Sequence, residues 1–372
     1  MKVVYYLLLL LLGWGCAGKE TKEKVPVVRL EKAEAGGSLK MSEILDNVRV
    51  IKLETRPEVL LPGFFFAWIG DRYIVVLGNE EIHLFTADGK YIRKLAQHGR
   101  GPEEYLYVLT FCVDEEKGVL YLSDGNNSIA VIGLEEGRVL GKLPAIGGSP
   151  HALQLAKDGS LVYIPLLTLK DERHFDFCRI KPDGTFIQGF SGIREESEPG
   201  TPYLGQIGGD ICYKLSINDT LFMVKDSVRV PYCRLVTDLP YSTRTGEGGT
   251  VGIEFENKDY FVLADLQTEM KTEGEMVFTS IGFQGFYKLS KSDFKLEKIS
   301  DFYIDLLDYT MEERFPFLVS GKRAYRNLNV SRFKEILKDK LDSPAIAGYL
   351  KTLYRELGED DNPVLLVGDI KE

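Results

Sequence analysis

The sequence predicts an all-β chain built from repeated four-stranded antiparallel units, and three observations carry that prediction. A turn followed by a β run recurs six times, at Asp71, Gly118, Gly159, Asp219, Lys258 and Gly321. Strand–turn–strand hairpins follow the first copies. Glycine is also in excess, 37 of 372 residues, beside 19 Tyr and 20 Phe, a composition of short strands and tight turns.

The repeats set the architecture. Intervals between successive copies are 47, 41, 60, 39 and 63 residues, and four strands with their turns take about 40–50 residues in a propeller blade. The two long intervals imply insertions. Within the first unit, Ile82 to Phe85, Asp88-Gly89 and Tyr91 to Leu95 read as strand, turn and strand. The same hairpin returns at Ile129–Leu143 and at Phe177–Ile187, and in degraded form at Phe286–Ile299. Two hairpins make a four-stranded blade, and one such sheet cannot bury both its faces alone, so the blades must stack in a ring. The expectation is a six-bladed β-propeller over residues 45–372. A chain of this length exceeds the ~250–300 residues one core usually serves, which suits a ring of thin interfaces.

Closure is expected from the two ends. Val48 to Glu54 is an alternating strand with no local partner, and Val364 to Ile370 is another at the opposite terminus. Joining them removes the exposed edges of an open ring. A C-terminal helical insertion is expected over about 331–358, with Phe333, Ile336, Leu337, Leu350 and Leu353 on one face and Pro344 interrupting it.

The N-terminus reads as an address. Lys2 precedes an apolar run from Val3 to Leu12, too short for a ~30 Å hydrocarbon layer but long enough for a signal peptide. Gly15-Cys16 resembles a bacterial lipobox, which makes residues 1–15 a lipoprotein signal peptide and Cys16 the lipidation site. Residues 16–44 then form a flexible tether, opening on the small and charged Ala17 to Lys24. The expected location is an outer-membrane anchor facing the periplasm or the cell surface, with the lipid as the sole membrane contact.

These features together resemble the six-bladed β-propeller lipoproteins of Gram-negative gut-type anaerobes, a TolB-like and NHL-like group. Three stretches carry the resemblance: Ile51-Lys52-Leu53-Glu54-Thr55, Gly99-Arg100-Gly101-Pro102-Glu103-Glu104-Tyr105, and Glu359-Asp360-Asp361-Asn362-Pro363-Val364-Leu365. It implies an exported propeller and does not extend to a reaction.

Charge excludes one class of partner. With 46 basic and 56 acidic residues the net charge is −10, so nucleic acid is not expected. Cys112, Cys178, Cys212 and Cys233 show no CxxC spacing, and the four histidines form no close pair, so no metal or cofactor is expected. The cysteines read as buried small hydrophobes, with disulfide pairing left open. Gly99-Arg100-Gly101 lacks phosphate-loop spacing and reads as a sharp crossing between blades stiffened by Pro102. Arg100, Glu103 and Tyr105 on that loop, and His151 where the third copy opens, are the candidate ligand-binding residues. No nucleophile elbow is present, and 56 acids give no means of choosing a catalytic pair. Catalytic residues stay unassigned. Asp219-Thr220 and Asp226-Ser227 resemble a bacterial O-glycosylation sequon but also read as a strand start and a turn. The aromatics at 64–68, with Tyr105 and Tyr107, read as inter-sheet core.

The preferred reading is an envelope binding or scaffold module whose ligand is a glycan, a peptide or a protein. The alternatives are a glycan hydrolase or lyase working in the axial funnel, and an accessory part of an outer-membrane uptake complex.

Overall fold

The computed structural model describes residues 24–371 apart from 64, 102, 107, 167–174, 193–200, 217, 243–246, 274–275 and 312–314. The signal peptide, Cys16, Pro102 and Tyr107 therefore lie outside the described residues.

Hairpin chemistry builds the blades in chain order. Blade one is Phe66–Ile69, Tyr73–Gly78, Glu81–Thr86 and Tyr91–Lys94; blade two is Phe111–Asp114, Val119–Ser123, Ser128–Gly133 and Val139–Pro144. Blade three is Pro150–Leu155, Leu161–Pro165, Phe175–Ile180 and Phe186–Ser191; blade four is Tyr203–Ile207, Asp210–Lys214, Thr220–Lys225 and Val228–Val236. Blade five is Gly248–Glu256, Tyr260–Glu273, Met276–Ser290 and Leu296–Ile299. Each of these is antiparallel through its four strands.

The blade count corrects the sequence expectation: the described residues form seven blades, not six. The additional blade has three strands, Phe302–Ile304 and Tyr309–Met311 as a hairpin with Leu39–Lys40 added in parallel. It lies within the 63-residue interval before Gly321, where strands this short leave no period-2 signature to read. The last blade combines both ends of the chain. Leu318–Ser320, Arg323–Leu328 and Val364–Ile370 come from the C-terminal side, and Leu45–Lys52 supplies the fourth strand. The pairing is antiparallel, with Leu365 opposite Ile51 and Leu366 opposite Val50.

Within the expected tether, residues from Val27 onward are not free. Val27–Arg29 pairs in parallel with the outer strand of blade four, and Glu34–Ala35 with that of blade five. Val28, Leu30, Leu39 and Met41 are buried there, and this apolar periodicity ties the segment down. Residues 27–44 thus run as a strap around three neighbouring blades before becoming the closing strand.

Apolar clusters fill the seams between blades. Ile51, Ile74, Phe85, Tyr325, Leu365 and Val367 form the seam between the last blade and the first. Polar bonds pin the same seam: the Ala67 N–H donates to the Tyr325 hydroxyl at 2.7 Å, and the Ile69 N–H to Ser320 Oγ at 3.0 Å. In the helical stretch, Val330–Leu337 and Gly348–Glu356 bury Phe333, Leu337 and Leu350 against the fifth and last blades. The Asn329 side chain caps the first of these helices by accepting from the Arg332 N–H at 2.8 Å. All four body cysteines are buried and free, and burial raises the thiol pKa of Cys212 and Cys233 to about 12.

Closure across this seam makes Leu365 a sensitive position. Leu365→Ala removes a fully buried side chain and should cost about 2–5 kcal/mol in urea denaturation. An unchanged midpoint would show that the seam does not carry the ring.

Candidate functional site

In each of the first five blades, the inner strand starts at the end of the ring where the chain crosses in from a neighbour.

The 99–105 loop is held by its own side chains. The Gly101 N–H donates to Glu104 Oε2 at 2.7 Å, and a Cβ on Gly99 would come within 1.9 Å of that same oxygen. A side chain at Gly99 would displace the Glu104 carboxylate from this bond, and Gly99 itself has no left-handed backbone angle. Tyr105 is fully buried, and its hydroxyl donates to the Glu80 carbonyl at 2.7 Å. Burial drives its phenol pKa well up. A ligand cannot reach it. Glu103 faces Arg138 at 3.8 Å, with both side chains exposed, and the Ala96 N–H donates to the Gly137 carbonyl at 2.9 Å. These bonds lean the crossing on an outer turn of blade two, and Arg100 is exposed on it. His151 is half-buried at a bulge that opens the inner strand of blade three. The structure does not bring these four residues to one point.

It forms instead a notch between blades four and five, whose inner strands adjoin. The notch has a volume of ≈ 30 Å³ and is lined by Lys214, Ser216, Thr250, Leu266, Thr268 and Ile281. At ~10–15 Å³ per water it holds two or three, enough for one small group of a larger molecule. Three segments meet there because blade five carries a long hairpin, Tyr260–Glu273 with Met276–Ser290. Its inner neighbour stops at Gly248, opposite Thr268, and its outer neighbour stops at Ile299, opposite Phe286. The hairpin continues past both as an arm, and the notch lies at its base.

Local chemistry is mixed polar and apolar. Lys214 is buried, and its Nζ donates to carbonyls that include Leu215 at 3.1 Å and Ser216 at 3.2 Å. The Ser216 hydroxyl is buried with no partner among the described residues, a condition that costs about 1–3 kcal/mol unless something pairs with it. Gly252, also in the lining, has little room for a side chain: a Cβ there would press to 3.0 Å from Leu266 and 3.2 Å from Glu254 Oε1. Glu254 is the extra residue of a bulge between Ile253 and Phe255, a device that re-aims a side chain. Burial raises its carboxyl pKa above the usual range, with no cation beside it among the described residues.

A half-buried bracket fixes the two blades under the notch. Glu256 of blade five accepts from the Tyr203 hydroxyl and, at 3.3 Å, from the Gln206 N–H of blade four. Lys291 Nζ closes the bracket, 2.8 Å from Glu256 Oε1 and 4.4 Å from the Phe261 ring centre. Burial raises the Glu256 carboxyl and Lys291 opposes that rise.

Sequence reasoning passed over Ser216, Gly252, Glu254, Thr268 and Ile281, since none sits in a motif. One signal was available. The run from Tyr260 to Ser290 is far longer than a blade hairpin needs. His83 is buried mid-strand, with Nδ1 unpaired among the described residues and burial lowering its pKa. Among the described residues no group of three or more His, Cys, Asp or Glu is placed to hold a metal, and no helix is long and apolar enough to cross a membrane.

Small antiparallel blades stacked in a ring define the class: an all-β propeller. Within that class, the chain belongs to the family of the domain of unknown function DUF4934, whose model matches residues 25–369. Its fold is similar to a Bacteroides fragilis protein named as a supposed exported protein, at TM-score 0.61 and 16% identity, covering 90% of this chain and 99% of that one. It is also similar to a member of the DUF4221 family from Bacteroides vulgatus, at TM-score 0.51 and 12% identity, covering 88% and 98%. Comparison with curated proteins finds no match.

Glu254 provides a pH test. A carboxyl raised in the folded state favours folding below its unfolded value, near 4.5, and that contribution is lost as pH rises through the folded value. Glu254→Gln should therefore raise the melting temperature at pH ~7, with the gain shrinking at about pH 4 and below. A gain of equal size at both pH values would remove the buried carboxylate from the account.

Proposed function

We propose that the chain is an exported binding module, held at the outer membrane by a lipid on Cys16, that takes its ligand at the notch between blades four and five. The observation that carries this reading is the Ser216 hydroxyl, unpaired among the described residues, beside a cleft overhung by the arm. A propeller with no use for that cleft would leave a buried donor unsatisfied at a cost to stability. Export is supported by the apolar run before Gly15-Cys16, and it agrees with the name given to the Bacteroides fragilis protein of similar fold. Exposed Leu239, Ile281 and Phe283 near the arm add apolar contact area for a bound molecule.

A thermal-shift screen of the full chain against glycans, peptides and metabolites tests the binding site. A ligand that stabilises the protein should lose that effect in Ser216→Ala and in Thr268→Val, while Arg100→Ala and His151→Ala leave it intact. A ligand indifferent to both notch substitutions would place the site elsewhere. Lipidation has its own test: the wild type should partition into the detergent phase of a Triton extraction, and Cys16→Ser into the aqueous phase. Aqueous partitioning of both forms would remove the anchor.

A further inference from the structure

On the arm, four residues share one face beside the notch. Thr268 stands opposite Ile281, and Leu266 opposite Phe283, in the ladder of the long hairpin. Residues two apart on a strand point the same way, and directly opposed side chains lie about 4.5–5.5 Å apart at Cβ. Three of the four line the notch. The fourth, Phe283, is 47% exposed and stacks on Phe286 with ring centres 5.5 Å apart. A half-exposed aromatic ring thus sits one strand repeat from a small opening lined by hydroxyl-bearing residues. Glu254 Oε1 lies near Gly252 on the lining.

We propose that this face binds a neutral saccharide, with the ring of one sugar lying on Phe283 and one of its hydroxyl-bearing arms entering the notch toward Ser216 and Thr268. The proposal rests on the binding reading above and narrows it to a ligand class. The chemistry fits in three respects. A pyranose presents an apolar C–H face that covers an aromatic ring, while its hydroxyls both donate and accept hydrogen bonds. A notch of ≈ 30 Å³ admits a hydroxymethyl group and excludes a whole ring, so the sugar must lie outside it, where Phe283 is. Burying apolar area on Phe283, Leu266 and Ile281 supplies affinity, and pairing the Ser216 hydroxyl removes an existing penalty. An extended apolar peptide would use the aromatic face and leave the hydroxyl notch unfilled, which makes it the poorer fit.

The test is calorimetric titration of the full-length, detergent-solubilised protein with cellohexaose, xylohexaose, mannohexaose and maltohexaose. At least one should bind. Phe283→Ala should weaken it by roughly tenfold or more, Ser216→Ala by about three- to tenfold, and Phe283→Trp should retain binding. Saturation transfer from aromatic protons to sugar C–H protons in the unsubstituted protein reads the same contact without depending on how a variant folds. Binding of none of the four, or binding unchanged by Phe283→Ala, overturns the proposal. Binding of an extended peptide that requires Ser216, with no sugar bound, overturns the saccharide assignment and leaves the wider binding reading standing.

Discussion

Everything in this molecule depends on one long-range pairing: Leu45–Lys52 against Val364–Ile370, antiparallel, more than 300 residues apart. A four-stranded sheet buries little by itself, so each blade relies on its neighbours for a hydrophobic seam. The seams form a circle only if the last blade is completed. With Leu45–Lys52 as its fourth strand, Leu365 and Val367 are covered and meet Ile74 and Phe85 of blade one. Remove that strand and two blades lose a covered face at once. The cost of bringing ends this distant together is modest, since loop-closure entropy grows only logarithmically with length.

From the ring follows the position of the notch. The inner strands of blades four and five adjoin, and the notch opens between them. Elsewhere apolar side chains fill the seams. Between blades four and five, Gly252 withholds a side chain, Lys214 and Thr268 are buried, and the arm rises past the blade. The bracket of Tyr203, Glu256 and Lys291 holds the same two blades together beneath. Rigidity below and an opening above suit a site that must keep its shape while a ligand is absent.

Much of the architecture was legible because hairpins announce themselves locally. Asp88-Gly89 and Asp183-Gly184 each mark a turn, and the runs around them alternate. The terminal strands could be matched because neither had a neighbour of its own. The additional blade could not be read: Leu39–Lys40 is two residues long and joins a hairpin some 260 residues away, so no periodicity records it. The strap escaped for the same reason, and the charged Ala17 to Lys24 ahead of it suggested a free tether. Tyr105 could be read either as a ligand contact or as core, and its burial decides for the core. The notch draws on three segments that only the fold brings together, and its residue types are ordinary in strands.

The strap has a mechanical consequence. Under the anchor proposed at Cys16, any pull on the body would load the chain at its N-terminal end. The load meets ladders of three, two and two residue pairs, at Val27–Arg29, Glu34–Ala35 and Leu39–Lys40, before it reaches the eight-residue closing strand. Short ladders in series give way one at a time, each releasing slack, so the strap acts as a shock absorber. The strand that closes the ring is the last part of the N-terminal region to feel the force.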